Sequence, residues 1–150
     1  MPDDFIIGAR VSFNEDRPGG LEFPELVTMA GDYIDAGVDV LSGITGSIES
    51  DQRLARMIPV MGMPSAPQLT IVGEAKRKLD VPMMHAAKIA DVPTARYAIE
   101  SGLLDLVGMT RALMADPYLP MKIAEKREDQ IRPCVGASMC IDGIYTNGAA

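Results

Sequence analysis

The stretch that most constrains the fold runs from Val81 to Arg111, VPMMHAAKIADVPTARYAIESGLLDLVGMTR. Val81 to His85 is a short apolar run. Asp91 and Pro93 open a helix in which Ala95, Ala98 and Ile99 share a face, Gly102 closes it, and Leu103 to Val107 is apolar again. The order is strand, turn, helix, strand, turn. Two strands joined by a helix run parallel, because the crossover returns the chain to the same end of the sheet. In parallel α/β folds ligands bind beyond the strand C-termini. Lys88 and Arg111 each follow such a terminus, so both are expected to point toward one anion.

The remainder repeats this alternation. Phe5 to Val11 reads as a buried-type strand with Arg10 at its end, followed by a loop from Ser12 to Gly20 rich in Asn, Asp, Pro and Gly. From Pro24, a favourable first-turn residue, Leu26, Val27, Ala30, Ile34 and Ala36 fall near helical spacing, and Gly37 supplies the stop. Val38 to Leu41 is the second strand. Ser42 to Gly46 is a glycine-bearing exit, which serves either close approach of a ligand or only a turn. Glu49 to Met57 predicts a short helix, and Pro59, Gly62, Pro64 and Pro67 then impose irregular backbone. Pro67 to Leu79 returns to helix, with Lys76, Arg77 and Lys78 read as a solvated face. Asp116 is expected to cap a helix that has Pro117 at its first position and runs through Ile123 to about Arg127. The segment from Ile131 to Ala150 is Gly-rich and weakly patterned. Four strand-then-helix units result: a small open parallel sheet, or half of an eight-unit barrel.

Composition narrows the class of partner. At 150 residues, 47% hydrophobic and 23% charged, the chain is expected to form one domain over residues 1–150. A net charge of -7 argues against nucleic acid and membrane surfaces, which call for clustered Lys and Arg, and leaves small molecules or proteins. The apolar runs fall short of the ~20 residues that cross a bilayer. Met1 to Asp4 lacks a basic signal-peptide start, so a cytoplasmic setting is expected. Two cysteines, Cys134 and Cys140, do not make a disulfide scaffold, which leaves metal or redox chemistry to be weighed. His85, the sole histidine, is able to move a proton, but one histidine in a strand is more often structural. The 11 methionines sit mostly at apolar positions and read as core filling.

The pieces GARVS, HAAKIAD, DLVGMTRALMADPYLPMKI and RPCVGASMCIDGIY, in this order and spacing, resemble the second half of the Old Yellow Enzyme-type NADH:flavin oxidoreductases. The likeness covers nearly the whole chain. It is greatest for the iron–sulfur branch that holds 2,4-dienoyl-CoA reductase, trimethylamine and dimethylamine dehydrogenases, and the N-methylproline and dimethylglycine demethylases. Members are FMN-binding (β/α)8 TIM barrels, so the resemblance implies strands five to eight of such a barrel, as four parallel βα units. It puts Arg10 beside the flavin N1 and C2 carbonyl, where negative charge collects when hydride arrives. It puts Lys88 and Arg111 on the FMN phosphate, with backbone N–H groups of Ala87 and Thr110 beside them. Ala87 and Thr110 stand where many members have glycine, and Lys88 where many have arginine, which exchanges a bidentate fork for a point charge.

Cluster-bearing relatives place three cysteines at C-x2-C-x2-C and a fourth roughly a dozen residues on, around one [4Fe–4S] cube. Cys134 and Cys140 match the first and third, Ala137 occupies the second, and the fourth would fall at or beyond Ala150. Two thiolates do not hold a cube by themselves. The residues fit either a vestigial loop around 131–150 or a cluster completed elsewhere. The resemblance implies an FMN-dependent oxidoreductase acting on a small molecule, most like an N-methyl amine or amino-acid demethylase or dehydrogenase. Alternatives are an enoate or 2,4-dienoyl-CoA reductase using NAD(P)H, and a catalytically silent, self-associating half-barrel. A phosphosugar barrel is disfavoured by Arg10 and the CVGASMC segment. The first half of the family's active site is missing, so no catalytic residue is assigned and the enzyme status of the chain stays open. A half-barrel has open edges and an exposed inner face, so self-association or pairing with a missing N-terminal half is expected.

Overall fold

A computed structural model describes residues 4–146. The elements are β1 (Gly8–Ser12), α1 (Phe23–Asp35), β2 (Val40–Ile44), α2 (Asp51–Met57), α3 (Leu69–Lys76), β3 (Met83–His85), α4 (Val92–Glu100) and β4 (Leu106–Val107). After β4 come α5 (Thr110–Ala115), α6 (Leu119–Ala124) and α7 (Met139–Thr146), with a 3₁₀ turn at Glu128–Gln130 before α7. The strands pair in chain order, β1-β2-β3-β4, and every pair is parallel.

Strand alternation sorts the two faces of this sheet. Val11, Leu41 and Met83 pack in one buried cluster with Leu26 and Ala30 of α1, Leu69, Val72 and Ala75 of α3, and Ala98 of α4. Among the described residues, α1, α3 and α4 all pack on this one face. On the other face, Arg10 pairs in register with Ser42, Ser42 with Met84, and Met84 with Leu106. Leu106 there is 49% exposed. Sequential parallel strands with all their crossover helices on one side make the arrangement of a barrel segment; a doubly wound sheet reverses strand order and covers both faces. The chain is thus four parallel βα units, half of a (β/α)8 architecture.

Local chemistry explains the helix starts. Glu22 and Glu25 form a reciprocal capping box at the head of α1, beside Pro24. Asp91 caps α4 by accepting from the Thr94 N–H at 2.8 Å. Gly43 sits where β2 meets α3. A Cβ built there would lie 2.7 Å from Val72 Cγ1 and 3.0 Å from Phe13 Cε2, so the closeness of sheet and helix depends on its missing side chain.

Several boundaries differ from the sequence reading. β1 begins at Gly8, and Phe5 and Ile6 are 60% and 73% exposed. The Asp39 side chain accepts from the Ile7 N–H at 2.8 Å, so a carboxylate takes the place of a ladder carbonyl there. Arg10 consequently lies mid-strand. β2 runs Val40–Ile44, which puts Ser42 and Gly43 inside the strand rather than in an exit turn. α3 is shorter than Pro67 to Leu79, and Lys76 is not merely solvated: its Nζ donates to Asp105 at 2.6 Å. Ile99 is 42% exposed, leaving Val92 and Ala98 as the buried face of α4.

Asp116 does not begin a helix at Pro117. It is 2% exposed and accepts from Tyr118 N at 3.1 Å, Arg132 N at 3.0 Å and Lys122 Nζ. With its carboxylate committed in three directions, α6 starts at Leu119 and ends at Ala124. α5 was not expected, and α7 forms within the segment read as irregular. No helix among the described residues is long and apolar enough to cross a membrane.

Candidate functional site

Beyond the strand C-termini lies a pocket of about 340 Å³. Its lining includes Arg10 from β1, Ala87 and Lys88 from the β3 exit, Thr110 and Arg111 from the β4 exit, and Cys134 and Cys140 from the last segment. The sequence-derived candidates, separated by up to 130 positions, therefore converge on one cavity. Ile44, Met57, Ile58, Met114, Ile141 and Ile144 supply its apolar wall. No Asp or Glu is among its lining residues, although the chain is acidic overall.

The fold brings the two basic exits together through close backbone packing. Gly108 N–H donates to the His85 carbonyl at 2.8 Å, which joins the ends of β4 and β3. A Cβ at Gly108 would stand 2.9 Å from Ala86 Cβ. Lys88 has φ 58, the left-handed conformation, at the third position of a turn closed by the Ile89 N–H donating to the Ala86 carbonyl at 3.0 Å. The backbone N–H groups of Ala87, Lys88, Thr110 and Arg111 donate to no acceptor among the described residues. Thr110 and Arg111 open α5, where helix geometry leaves the first donors free.

Two side chains have partners the sequence did not disclose. Lys88 Nζ donates to the Val60 carbonyl at 2.7 Å and also to the Met63 carbonyl. Arg111 Nη1 donates to the Pro59 carbonyl at 3.0 Å. The irregular backbone foreseen from Pro59 to Pro67 is thus the acceptor wall of both cations. The density of Pro and Gly there signalled carbonyls outside regular structure, but which ones accept depends on the tertiary path. Arg10, by contrast, forms no ion pair among the described residues.

His85 is 1% exposed, and its Nδ1 lies 2.8 Å from the Gly43 carbonyl. A carbonyl only accepts, so Nδ1 carries the hydrogen and Nε2 is the bare nitrogen. Nε2 is buried without a partner. Burial lowers the His85 pKa, the bond to Gly43 opposes that shift, and the Arg10 charge adds to it. His85 therefore braces β3 against β2 at the pocket lining, in keeping with the structural role expected of a single strand histidine.

The cysteines are both free and half-buried. Among the described residues there is no group of three or more His, Cys, Asp or Glu side chains able to hold a metal ion. Position 150, where a fourth cluster cysteine was sought, lies outside the described residues. What the pocket does offer is three cationic side chains and four free N–H donors against an apolar wall. That donor set suits an anionic group joined to a flat or apolar body.

No established family profile matches the chain. It is 48% identical over 149 residues to a probable N-methylproline demethylase of Rhizobium meliloti (strain 1021), a match covering 99% of this chain and 22% of that protein. It is 44% identical over 140 residues to a multifunctional alkene reductase/demethylase OYE of Caballeronia cordobensis, covering 92% of this chain and 20% of that protein. Among solved structures, histamine dehydrogenase from Rhizobium sp. 4-9 superposes with a TM-score of 0.79 at 24% identity, over 94% of this chain and 20% of that one. The chain spans about a fifth of the length of the curated relatives it matches.

Proposed function

Because the chain fits the Old Yellow Enzyme-like NADH:flavin oxidoreductase branch, we propose that its pocket holds the phosphate end and one flank of FMN. The observation that carries this reading is the convergence of Arg10, Lys88, Arg111 and four free N–H groups on one cavity without a lining carboxylate. Lys88 and Arg111, with the N–H groups of Ala87 and Thr110, would hold the phosphate. Arg10, which has no competing ion pair among the described residues, would face the N1 and C2-carbonyl edge of the ring. Bound FMN supplies the hydride-exchanging centre, and a fixed cation at that edge favours the reduced, more negative form.

The whole protein is read as an oxidoreductase for a small N-methylated amine or amino acid. Reduction of an activated alkene is kept as a second reading, favoured by the alkene reductase/demethylase relative at 44% identity. A [4Fe–4S] cube does not fit this chain, since Cys134 and Cys140 supply two thiolates where the cube takes four. Two free thiols accord with a reducing cytoplasmic setting. The sheet face bearing Leu106, at 49% exposure, and the open edges of β1 and β4 would be covered by the complementary half-barrel or by a second copy. Size-exclusion chromatography giving a well-folded monomer would count against that covering.

Titration of the chain with FMN, followed by the visible flavin spectrum, tests the site. Binding is expected, and Arg111→Ala should weaken it about ten- to a hundredfold through loss of charge-assisted bonds. No bound flavin at high micromolar protein would sink the reading for this chain.

A further inference from the structure

We infer that the strap Pro59–Met63 is a positioning element of the pocket, and that its order and anion binding are coupled through two shared cations, Lys88 and Arg111. The inference rests on the anion-site reading above and goes further by assigning a role to a segment outside both strand exits.

The strap is tied from three directions. Its carbonyls accept from Lys88 Nζ, at Val60 and Met63, and from Arg111 Nη1, at Pro59. Its Met61 N–H donates to the Gly136 carbonyl at 2.8 Å, which attaches it to the segment carrying Cys134 and Cys140. Just beyond, Ala66 N–H donates to the Lys88 carbonyl at 3.1 Å, and Ser65 Oγ lies 3.4 Å from the same oxygen. Lys88 is therefore gripped at both its ammonium and its backbone, in a left-handed conformation that a non-glycine residue keeps only when its surroundings impose it.

Donor counts make the strap and an anion compatible rather than rival. An ammonium has three N–H donors and Lys88 commits two; a guanidinium has five and Arg111 commits one. The remaining donors are free to meet phosphate oxygens while the strap holds both long side chains in place. Each cation thus loses its rotamer freedom once for two sets of bonds. By linkage, an anion on the same cations must stabilise the strap to the degree that the strap improves anion affinity. Gly136, which also lines the pocket, gives a handle that hydrogen-bonds neither cation's side chain. Its φ is +73, and a Cβ there would stand 3.2 Å from Met61 N, so Gly136→Ala displaces the strap.

The test is amide hydrogen exchange at Met61 and Ala66 in the 150-residue chain, alone and with FMN, riboflavin or inorganic phosphate. FMN should slow both amides about fivefold or more, the low end of ordinary coupling, and riboflavin, which lacks the phosphate, should not. Gly136→Ala should weaken FMN more than it weakens riboflavin. The inference is overturned if FMN binds without altering exchange at the two amides, if riboflavin protects them equally, or if Gly136→Ala binds FMN as tightly as the parent. If FMN does not bind but inorganic phosphate slows the same amides, the flavin reading fails and the coupled strap stands. If neither ligand binds, both fall.

Discussion

Replacing Gly43 with alanine probes the packing that sets the pocket's floor. The added methyl would lie 2.7 and 3.2 Å from the two γ-carbons of Val72 and 3.0 Å from Phe13 Cε2. Val72 and Phe13 are both 0% exposed, so neither side chain has solvent to swing into. Relief requires β2 and α3 to separate, and overpacking of this kind costs about 1–3 kcal/mol. For a chain of this length that corresponds to a fall of roughly 2–12 °C in Tm. Gly31→Ala is the matched control. Gly31 lies inside α1 with nothing within 4 Å of a built Cβ. The same substitution there should stabilise by about 0.5–1 kcal/mol, through helix propensity and reduced freedom of the unfolded chain. Urea unfolding of both variants, with m-values unchanged, reads the two effects with opposite sign. A loss below about 0.5 kcal/mol at Gly43 would refute the claim of a close-packed sheet–α3 layer.

Other expectations concern titration, the last loop and metal. Because burial lowers the His85 pKa below 6.5, the unfolded chain takes up a proton first as pH falls, so stability should drop below pH 6.5. The slope should not exceed about 1.4 kcal/mol per pH unit, and His85→Gln should flatten it, since no other histidine is present. Lys122, followed by the Arg132 N–H, holds the Asp116 carboxyl below the ordinary carboxylate value. Its stabilising contribution is present above the unfolded pKa of 3.8 and lost as pH falls through the lower folded value. Asp116→Asn should destabilise the chain at neutral pH and speed proteolysis near Arg132. Anaerobic reconstitution with iron and sulfide should leave the chain without the absorbance of a [4Fe–4S] cube; a stable cube would show that other ligands join Cys134 and Cys140.

The alternation of short apolar runs with capped helices was legible because each signal is local. Asp91, Pro93 and Gly102 mark α4 from the sequence alone, and the capping bond to Thr94 has the expected form. Lys88 and Arg111 were visible for the same reason, as basic residues just past two strand ends. Their carbonyl partners were not, because Pro59, Val60 and Met63 are brought to them only by the tertiary path of a segment with no periodicity. Strand ends were misplaced where a side chain replaces ladder partners, as Asp39 does at Ile7. Asp116 looked like an N-cap because its neighbour is Pro117, yet a long-range demand from Lys122 and Arg132 outweighed that local preference. α5 and α7 are six and eight residues long, and α5 has no capping side-chain bond, so each is too short to stand out as a helical period in the sequence.

The central claim is that Lys88, Arg111 and Arg10 line one anion-accepting pocket that takes FMN. Its most direct measurement is paired equilibrium titration of the chain with FMN and riboflavin, read by flavin absorbance and fluorescence. FMN should bind more tightly than riboflavin by about tenfold or more, the worth of one charge-assisted contact, and Lys88→Ala with Arg111→Ala should abolish the difference. Equal affinity for the two flavins, or a difference that survives the double substitution, would contradict it.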